Sequence, residues 1–402
     1  MLSKPSIFVI FSSEIKYKNK AHYQRILTFT KKFDVSIILR GGKFTDPELL
    51  LKIKNLFRSP FVGSQYKSGV YLRNVGIVQL VNYFIYLIYV FFILSIKAKH
   101  KKLLVYTFPG PHTFFVYLAK KIFGNIVWVA DIYDHPMNLI VTKFSFKWFL
   151  SKIKGFFDSI ALKEVDYAFI TLVEGSLDAY NIPKTKSLFL TNGVNLSLFD
   201  PTKYECDKSI FFELIFIGFI LKENGIPTLL QSVKLLKDEI PNIRLNLVGF
   251  TSKQDNDWLL HEIEKLGIAK YVHYWGVIDS NEVPSFLSRM DVCLIPFYQV
   301  LGKDETFPVK LFEYLSMGKA IVASRLSGIS LIVKHEESAL LVKPGDSEEM
   351  AASILRLKND ILLRRRLEEN SIEISKKYDW SIINDKIIFK LYDLLNYRNS
   401  DN

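Results

Sequence analysis

The sequence predicts an α/β protein built from two doubly wound parallel sheets in tandem. Short apolar runs alternate with amphipathic stretches along nearly the whole chain, the pattern of strand–helix–strand crossovers. That rhythm halts at the polar stretch Asp200–Ser209 and then restarts. The chain has 402 residues, 49% of them hydrophobic and 23% charged, which suffices for two domain cores and excludes a disordered chain.

In the first half, Ile7–Phe11, Val35–Leu39, Leu103–Phe108, Ile126–Ala130 and Tyr167–Thr171 read as buried strands. His22–Lys32 and Pro111–Phe123 read as amphipathic helices between them. In the second half the strands are Leu214–Gly218, Arg244–Gly249, Val272–Trp275, Val292–Pro296 and Ala320–Ser324. The expected division is a first domain over 1–200, a second over 201–380, and a last helix over 381–402 packing back on the first. In such folds ligands bind at the carboxyl ends of the strands, here in the cleft between the two domains.

Two segments bear on targeting. Met1–Ser13 has one lysine and an apolar run of only Ile7–Phe11, shorter than a signal peptide needs. Val75–Ile96 carries no formal charge over 22 residues, long enough to span a bilayer. Yet Gln79, Asn82, Tyr86 and Tyr89 recur at helical spacing and place a polar stripe along one face. The segment is therefore read as a core or peripheral helix. Cys206 and Cys293 are the only cysteines, which excludes a disulfide scaffold and fits a reducing compartment.

The net charge of +12 is unevenly placed. Residues 1–200 hold 27 basic and 12 acidic side chains, whereas 201–402 hold 26 and 29. A basic half points to an anionic partner. Phe144–Phe157 plots as an amphipathic helix in which Phe144 and Trp148 stand among Lys147, Lys152 and Lys154, as in an interfacial helix. With the basic excess, this favours peripheral contact with an anionic membrane surface. Nucleic acid is not expected: the lysines do not interleave with aromatics on strands as base-stacking platforms do.

Nucleotide-binding glycine loops, H-E-x-x-H and paired C-x-x-C are missing, and no Asp-x-Asp ends a strand, so no metal is expected. The densest constellation is Asp304–Lys319. Pro308 stands where a helix begins and Gly318 where it ends. Lys310, Glu313, Tyr314 and Met317 fall on one face of that helix. Its first turn, with Lys310 beside it, suits a phosphate group. An acidic helix start with a Lys310–Glu313 ion pair is the structural alternative. In the first half, Asp131, Asp134 and His135 end a strand at the expected cleft edge, as candidates for acceptor positioning or, Asp131 above all, catalytic proton removal, or as a cap and turn around Pro136.

An ordered series of motifs resembles the family 4 glycosyltransferases of the GT-B fold. It comprises Asn192-Gly193-Val194-Asn195 through Pro201, Ile215-Phe216-Ile217-Gly218, Leu245–Gly249, Val272–Gly276, Asp291–Pro296, Glu305 with Glu313, Gly318–Ser324 and Leu340–Asp346. The resemblance implies two Rossmann-like domains facing across a cleft and retaining transfer from a nucleotide-sugar without metal. Glu305 would contact the donor sugar and Glu313 the ribose. Gly218 and the backbone at Pro308 and Val309 would lie along the diphosphate, and Lys310 would neutralise leaving-group charge.

The sequence departs from the pattern where the family places an arginine and a lysine on the diphosphate: Phe219 and Asn224 stand there, with Lys222 between them as a substitute. The Gly-Gly-x-Pro-Glu loop is here Ser327-Gly328-Ile329-Ser330-Leu331. The expected partners are a nucleotide-sugar as co-substrate and a saccharide or lipid-linked saccharide acceptor. The expected location is cytoplasmic, peripheral at the inner face of the membrane. A catalytically silent nucleotide-sugar-binding protein and a nucleotide-sugar epimerase remain the alternatives.

Overall fold

The apolar runs become two parallel sheets. The computed structural model describes residues 4–11, 21–39, 47–58, 77–99, 101–108, 110, 112–133, 157–173, 182–204, 209–300 and 304–397. The first sheet holds β1 (Ser6–Phe11), β2 (Asp34–Leu39), β3 (Asn55–Arg58), β4 (Leu103–Thr107), β5 (Ile126–Ile132), β6 (Tyr167–Ile170) and β7 (Ser187–Phe189). Their order is β3-β2-β1-β4-β5-β6-β7, with every pairing parallel. The second sheet holds β8 (Phe212–Ile217), β9 (Ile243–Val248), β10 (Val272–Gly276), β11 (Val292–Ile295), β12 (Ala320–Ser324) and β13 (Leu340–Val342). It runs β10-β9-β8-β11-β12-β13, again all parallel. Both orders reverse direction once, between β1 and β4 and between β8 and β11. Those two gaps are the switch points where doubly wound sheets bind ligands.

The helices needed below are α1 (Ala21–Lys32), α2 (Pro47–Leu51), α3 (Ile77–Ala98), α4 (Thr113–Phe123), α5 (Ile226–Leu236), α6 (Lys253–Lys265), α7 (Val283–Ser288), α8 (Val309–Ser316), α9 (Ser327–Ser330), α10 (Ser347–Asn359), α11 (Ile361–Ser375) and α12 (Trp380–Tyr397). Each sheet has its own core. In the first, Val105, Trp128 and Ala168 pack with Leu87, Val90 and Leu94 of α3. In the second, Leu214, Leu245, Val292 and Val322 pack with Leu229 and Val233 of α5 and Ile354 of α10. Strands buried on both faces carry no alternation, which is why they read as continuous apolar runs. The short strands β3 and β7 went unread because they lie at the sheet's two edges and carry only half-buried or exposed side chains.

The chain divides into an N-terminal unit, Met1–Leu190 with Ile383–Asn402, and a C-terminal unit, Thr191–Ile382. The first division thus falls ten residues before the expected Asp200/Pro201 boundary. The cause is the Asn192–Asn195 segment, which is hydrogen-bonded within the second unit. Val194 N donates to Tyr378 O (2.9 Å), and Trp380 N donates to Val194 O (3.0 Å). From Ile383 onward α12 belongs to the N-terminal unit. Asn384 Nδ2 donates to Thr28 Oγ1 (3.1 Å) on α1, and the Tyr392 ring stacks on Phe33 at 5.1 Å.

Helix α3 forms where a core or peripheral helix was expected. Tyr86 is fully buried with its ring against His112, and Tyr89 is half-buried. Phe84, Ile88, Phe92 and Ile96 point outward, 41–61% exposed. A tyrosine ring offers nearly as much apolar area as phenylalanine, so one hydroxyl does not decide which face is buried. The side chains of Gln79 and Asn82 lie outside the described residues. Among the described residues no helix is long and apolar enough to cross a membrane.

The packing of α12 gives a stability prediction. Ile387 is fully buried in the part of α12 that belongs to the N-terminal unit. Ile387→Ala is expected to cost about 2–5 kcal/mol, read as a lower urea midpoint. An unchanged midpoint would mean that α12 does not hold that unit together.

Candidate functional site

The second switch point is built from glycines and helix starts. Gly218 follows β8 with φ +143°, and Gly249 follows β9 with φ +137°. A Cβ on Gly249 would stand 1.8 Å from Gly218 O, so the two strand ends touch through bare backbone. The ladder continues past them, with Gly218 N donating to Val248 O (2.9 Å) and Ile220 N to Phe250 O (2.8 Å).

Lys310 fills the space that Gly218 leaves open. A Cβ at Gly218 would stand 2.6 Å from Lys310 Nζ. The ammonium lies over the Phe216 ring at 3.8 Å and the Phe297 ring at 4.7 Å. Two aromatic faces attract the cation and help to hold it in place. Phe216 and Gly218 share a strand face by the two-residue period, one residue supplying the ring and the other the room.

Helix α8 carries Lys310 in its first turn and is braced on both sides. Pro308 precedes it with extended backbone (φ −63°, ψ 127°) and Leu311 N donates to Pro308 O at 3.0 Å. Pro308 is thus the capping residue, one place before the first helical position. Asn192 Nδ2 donates to Phe307 O at 2.6 Å, which gives the Asn-Gly-Val motif a mechanical role. From the other side, Asp304 accepts from Ser327 N (3.0 Å) and Ser327 Oγ (2.6 Å), and Gly328 N donates to Asp304 O (2.8 Å). A Cβ on Gly328 would stand 2.1 Å from Thr306 O. The departed loop Ser327–Leu331 therefore keeps the one glycine its backbone contact requires. Glu305, partly buried, sits in this clamped stretch between Asp304 and Thr306.

Glu313 is partly buried one turn after Lys310. Burial pushes its carboxyl up to about 7, and the nearby Lys310 charge opposes the rise. Tyr314 and Met317 do not share the exposed face expected for them. Both are buried, because α8 packs between β12 and α11, and Tyr314 Oη accepts from Ile217 N at 3.0 Å. That bond closes off the end of β8 beside Gly218.

The substituted positions do other work. Phe219, 55% exposed, meets Phe250 edge to face at 6.2 Å. Asn224 Nδ2 donates to Phe219 O at 2.8 Å and braces the loop. Lys222 carries its ammonium to the Trp258 ring on α6, 4.8 Å from the centroid, whereas Lys310 reaches the switch point. Fixed positive charge at Gly218 thus comes from Lys310 and the start of α8.

Asp131 is not an open cleft residue. It is fully buried on β5 and ion-paired with Arg25 of α1. Its Oδ2 also accepts from Tyr106 and, at 2.9 Å, from Tyr133, while Arg25 Nη2 donates to Thr171 Oγ1 at 3.4 Å. Burial raises the Asp131 carboxyl, and Arg25 and the phenols oppose the rise. This fully buried carboxylate ties α1 to β4 and β5, a structural role that its burial and its partners account for. His22, one turn before Arg25, lies between Phe108 (4.1 Å) and Tyr133 (4.6 Å). Asp134, His135, Phe144, Lys147, Trp148, Lys152 and Lys154 lie outside the described residues.

Sequence reading missed Phe216, Phe297, Arg25 and Asn192's role. Asn192 and Phe216 had a local signal, their places in motifs; Phe297 and Arg25 act through partners distant in the chain.

The fold has close counterparts among solved structures. Anabaena HepE, solved in complex with UDP, superposes with a TM-score of 0.72 at 16% identity, covering 96% of this chain and 100% of that one. Sucrose-phosphate synthase from Thermosynechococcus elongatus gives 0.74 at 20% identity, with 98% and 100% covered. With two parallel doubly wound sheets, the chain is a protein of the GT-B class. Residues 209–374 match the family described as glycosyl transferases group 1.

Among curated relatives, a Campylobacter jejuni protein is 28% identical over 211 residues, 50% of this chain and 52% of that one. It is named N,N'-diacetylbacillosaminyl-diphospho-undecaprenol alpha-1,3-N-acetylgalactosaminyltransferase. A phosphatidyl-myo-inositol mannosyltransferase of Mycolicibacterium smegmatis is 27% identical over 176 residues, 44% of this chain and 43% of that one. The chain spans about half the length of the curated relatives it matches.

The Asp131 contacts give a discriminating prediction. Asp131→Ala is expected to destabilise the protein by about 3–5 kcal/mol by leaving Arg25 buried and unpaired, measured by urea unfolding. Normal stability with lost activity would instead restore a catalytic role.

Proposed function

We propose that this protein is a retaining glycosyltransferase that moves a sugar from a nucleotide-sugar donor to a lipid-linked or cell-envelope saccharide acceptor. The observation that carries the reading is the Lys310 ammonium, caged by Phe216 and Phe297 over Gly218 at the second switch point. Glycosyl transfer breaks the bond between the anomeric carbon and the diphosphate, and negative charge grows on the departing oxygen. A fixed cation and a helix start at that oxygen stabilise the transition state more than the bound donor. This supplies the charge that a divalent metal otherwise provides, so the reaction proceeds without one. Glu313 accepts hydrogen bonds from the ribose, and Glu305 meets the sugar.

Two relatives support the acceptor class. The Campylobacter jejuni relative is named for an undecaprenol-linked acceptor and the Mycolicibacterium smegmatis relative for phosphatidyl-myo-inositol. A lipid-linked acceptor suits the basic N-terminal half and sets the enzyme at the cytoplasmic face of a membrane, held peripherally.

Lys310→Met is expected to lower kcat by about 10²- to 10³-fold in a donor-turnover assay, with the rate of wild type unmoved by chelator. Glu305→Ala should abolish turnover and keep donor binding. Wild type that binds donor and never turns it over would favour a silent binding protein. The pH profile is set by Glu313. Its carboxylate accepts from the ribose and its acid form does so less well, so kcat/KM for donor should rise with pH through about 7. Glu313→Gln should flatten that rise; a profile unchanged by the substitution would remove Glu313 from the donor site.

A further inference from the structure

We infer that the outward face of α3 is a membrane-docking surface for an anionic lipid leaflet. Phe84, Ile88 and Phe92 are 58–61% exposed and Ile96 41% exposed, each four residues from the last. They form one straight apolar row, about 18 Å long at the helical rise per residue. Phe91 and Ile93 flank it half-buried. Soluble surfaces seldom carry such a row of large apolar side chains without an occupant. The opposite face of the same helix, with Tyr86, Leu87, Val90, Leu94 and Ala98, is fixed in the core of the first sheet. So α3 cannot leave the domain to span a bilayer. It can only lie in the interfacial plane with its outer row among the acyl chains.

Charge names the occupant. Lys97, Lys99 and Lys101 follow the row directly, with Lys99 and Lys101 exposed. From Glu48 to Asp131 the chain has 11 basic residues and no acidic one between them. A second copy of this chain would bring the same positive field to the contact and be repelled. An anionic leaflet is attracted by the lysines and takes the apolar row. The inference rests on and deepens the membrane-surface part of the proposed function, to which it adds the outward face of α3.

The test is sedimentation of the full chain with vesicles, which needs no turnover and so fails or succeeds separately from the transferase reading. Wild type should bind vesicles of phosphatidylcholine with phosphatidylglycerol and bind pure phosphatidylcholine weakly. The triple variant Phe84→Ser, Ile88→Ser, Phe92→Ser should lose roughly tenfold or more of that binding. Its melting curve should match wild type, since the three side chains are largely exposed. Lys97→Glu with Lys99→Glu should weaken binding to the anionic vesicles alone. A folded triple variant that sediments like wild type would overturn the inference. So would a wild-type dimer that the triple variant dissolves while vesicle binding persists.

Discussion

One ammonium group organises the C-terminal unit. Lys310 Nζ stands over Gly218 between two phenylalanine rings, and the neighbouring contacts keep it there. The glycine must lack a side chain to admit it. Tyr314 seals the strand end beneath it, while Asn192 and Asp304 fix the segments leading into α8. A charge fixed before the substrate arrives costs no reorganisation during a reaction, and the proposed role of Lys310 rests on that.

In the proposed reaction Lys310 takes the place of the basic residues that Phe219 and Asn224 replace. Phe219 and Asn224 bind each other's loop and Phe250, and Lys222 is engaged by Trp258. The half of the chain proposed to bind the anionic donor has slightly more acidic than basic residues, so that proposal rests on a few placed groups. The basic excess lies in the other half, beside the outward row of α3. Bulk charge there concerns where the protein sits, and placed charge concerns what it binds.

Most of the fold was legible because parallel strands buried on both faces leave uninterrupted apolar runs, as in β4, β5 and β12. Edge strands β3 and β7 lack that signature. In the site, Lys310, Glu313 and Gly218 could be read from spacing and motif order. The cage could not, since Phe216 and Phe297 look like ordinary core residues until the sheet brings them to Lys310. Asp131 was misjudged for the same reason: its partner Arg25 is 106 residues away.

The central claim is that the Lys310 ammonium grips a diphosphate at Gly218. Calorimetric titration of wild type and Lys310→Met tests it most directly, using the nucleoside diphosphate that best raises the melting temperature and the matching nucleoside. The account predicts that the variant loses roughly tenfold or more in affinity for the diphosphate and almost none for the nucleoside, as expected when one charged contact is removed. Equal losses for both ligands, or no loss for the diphosphate, would contradict it.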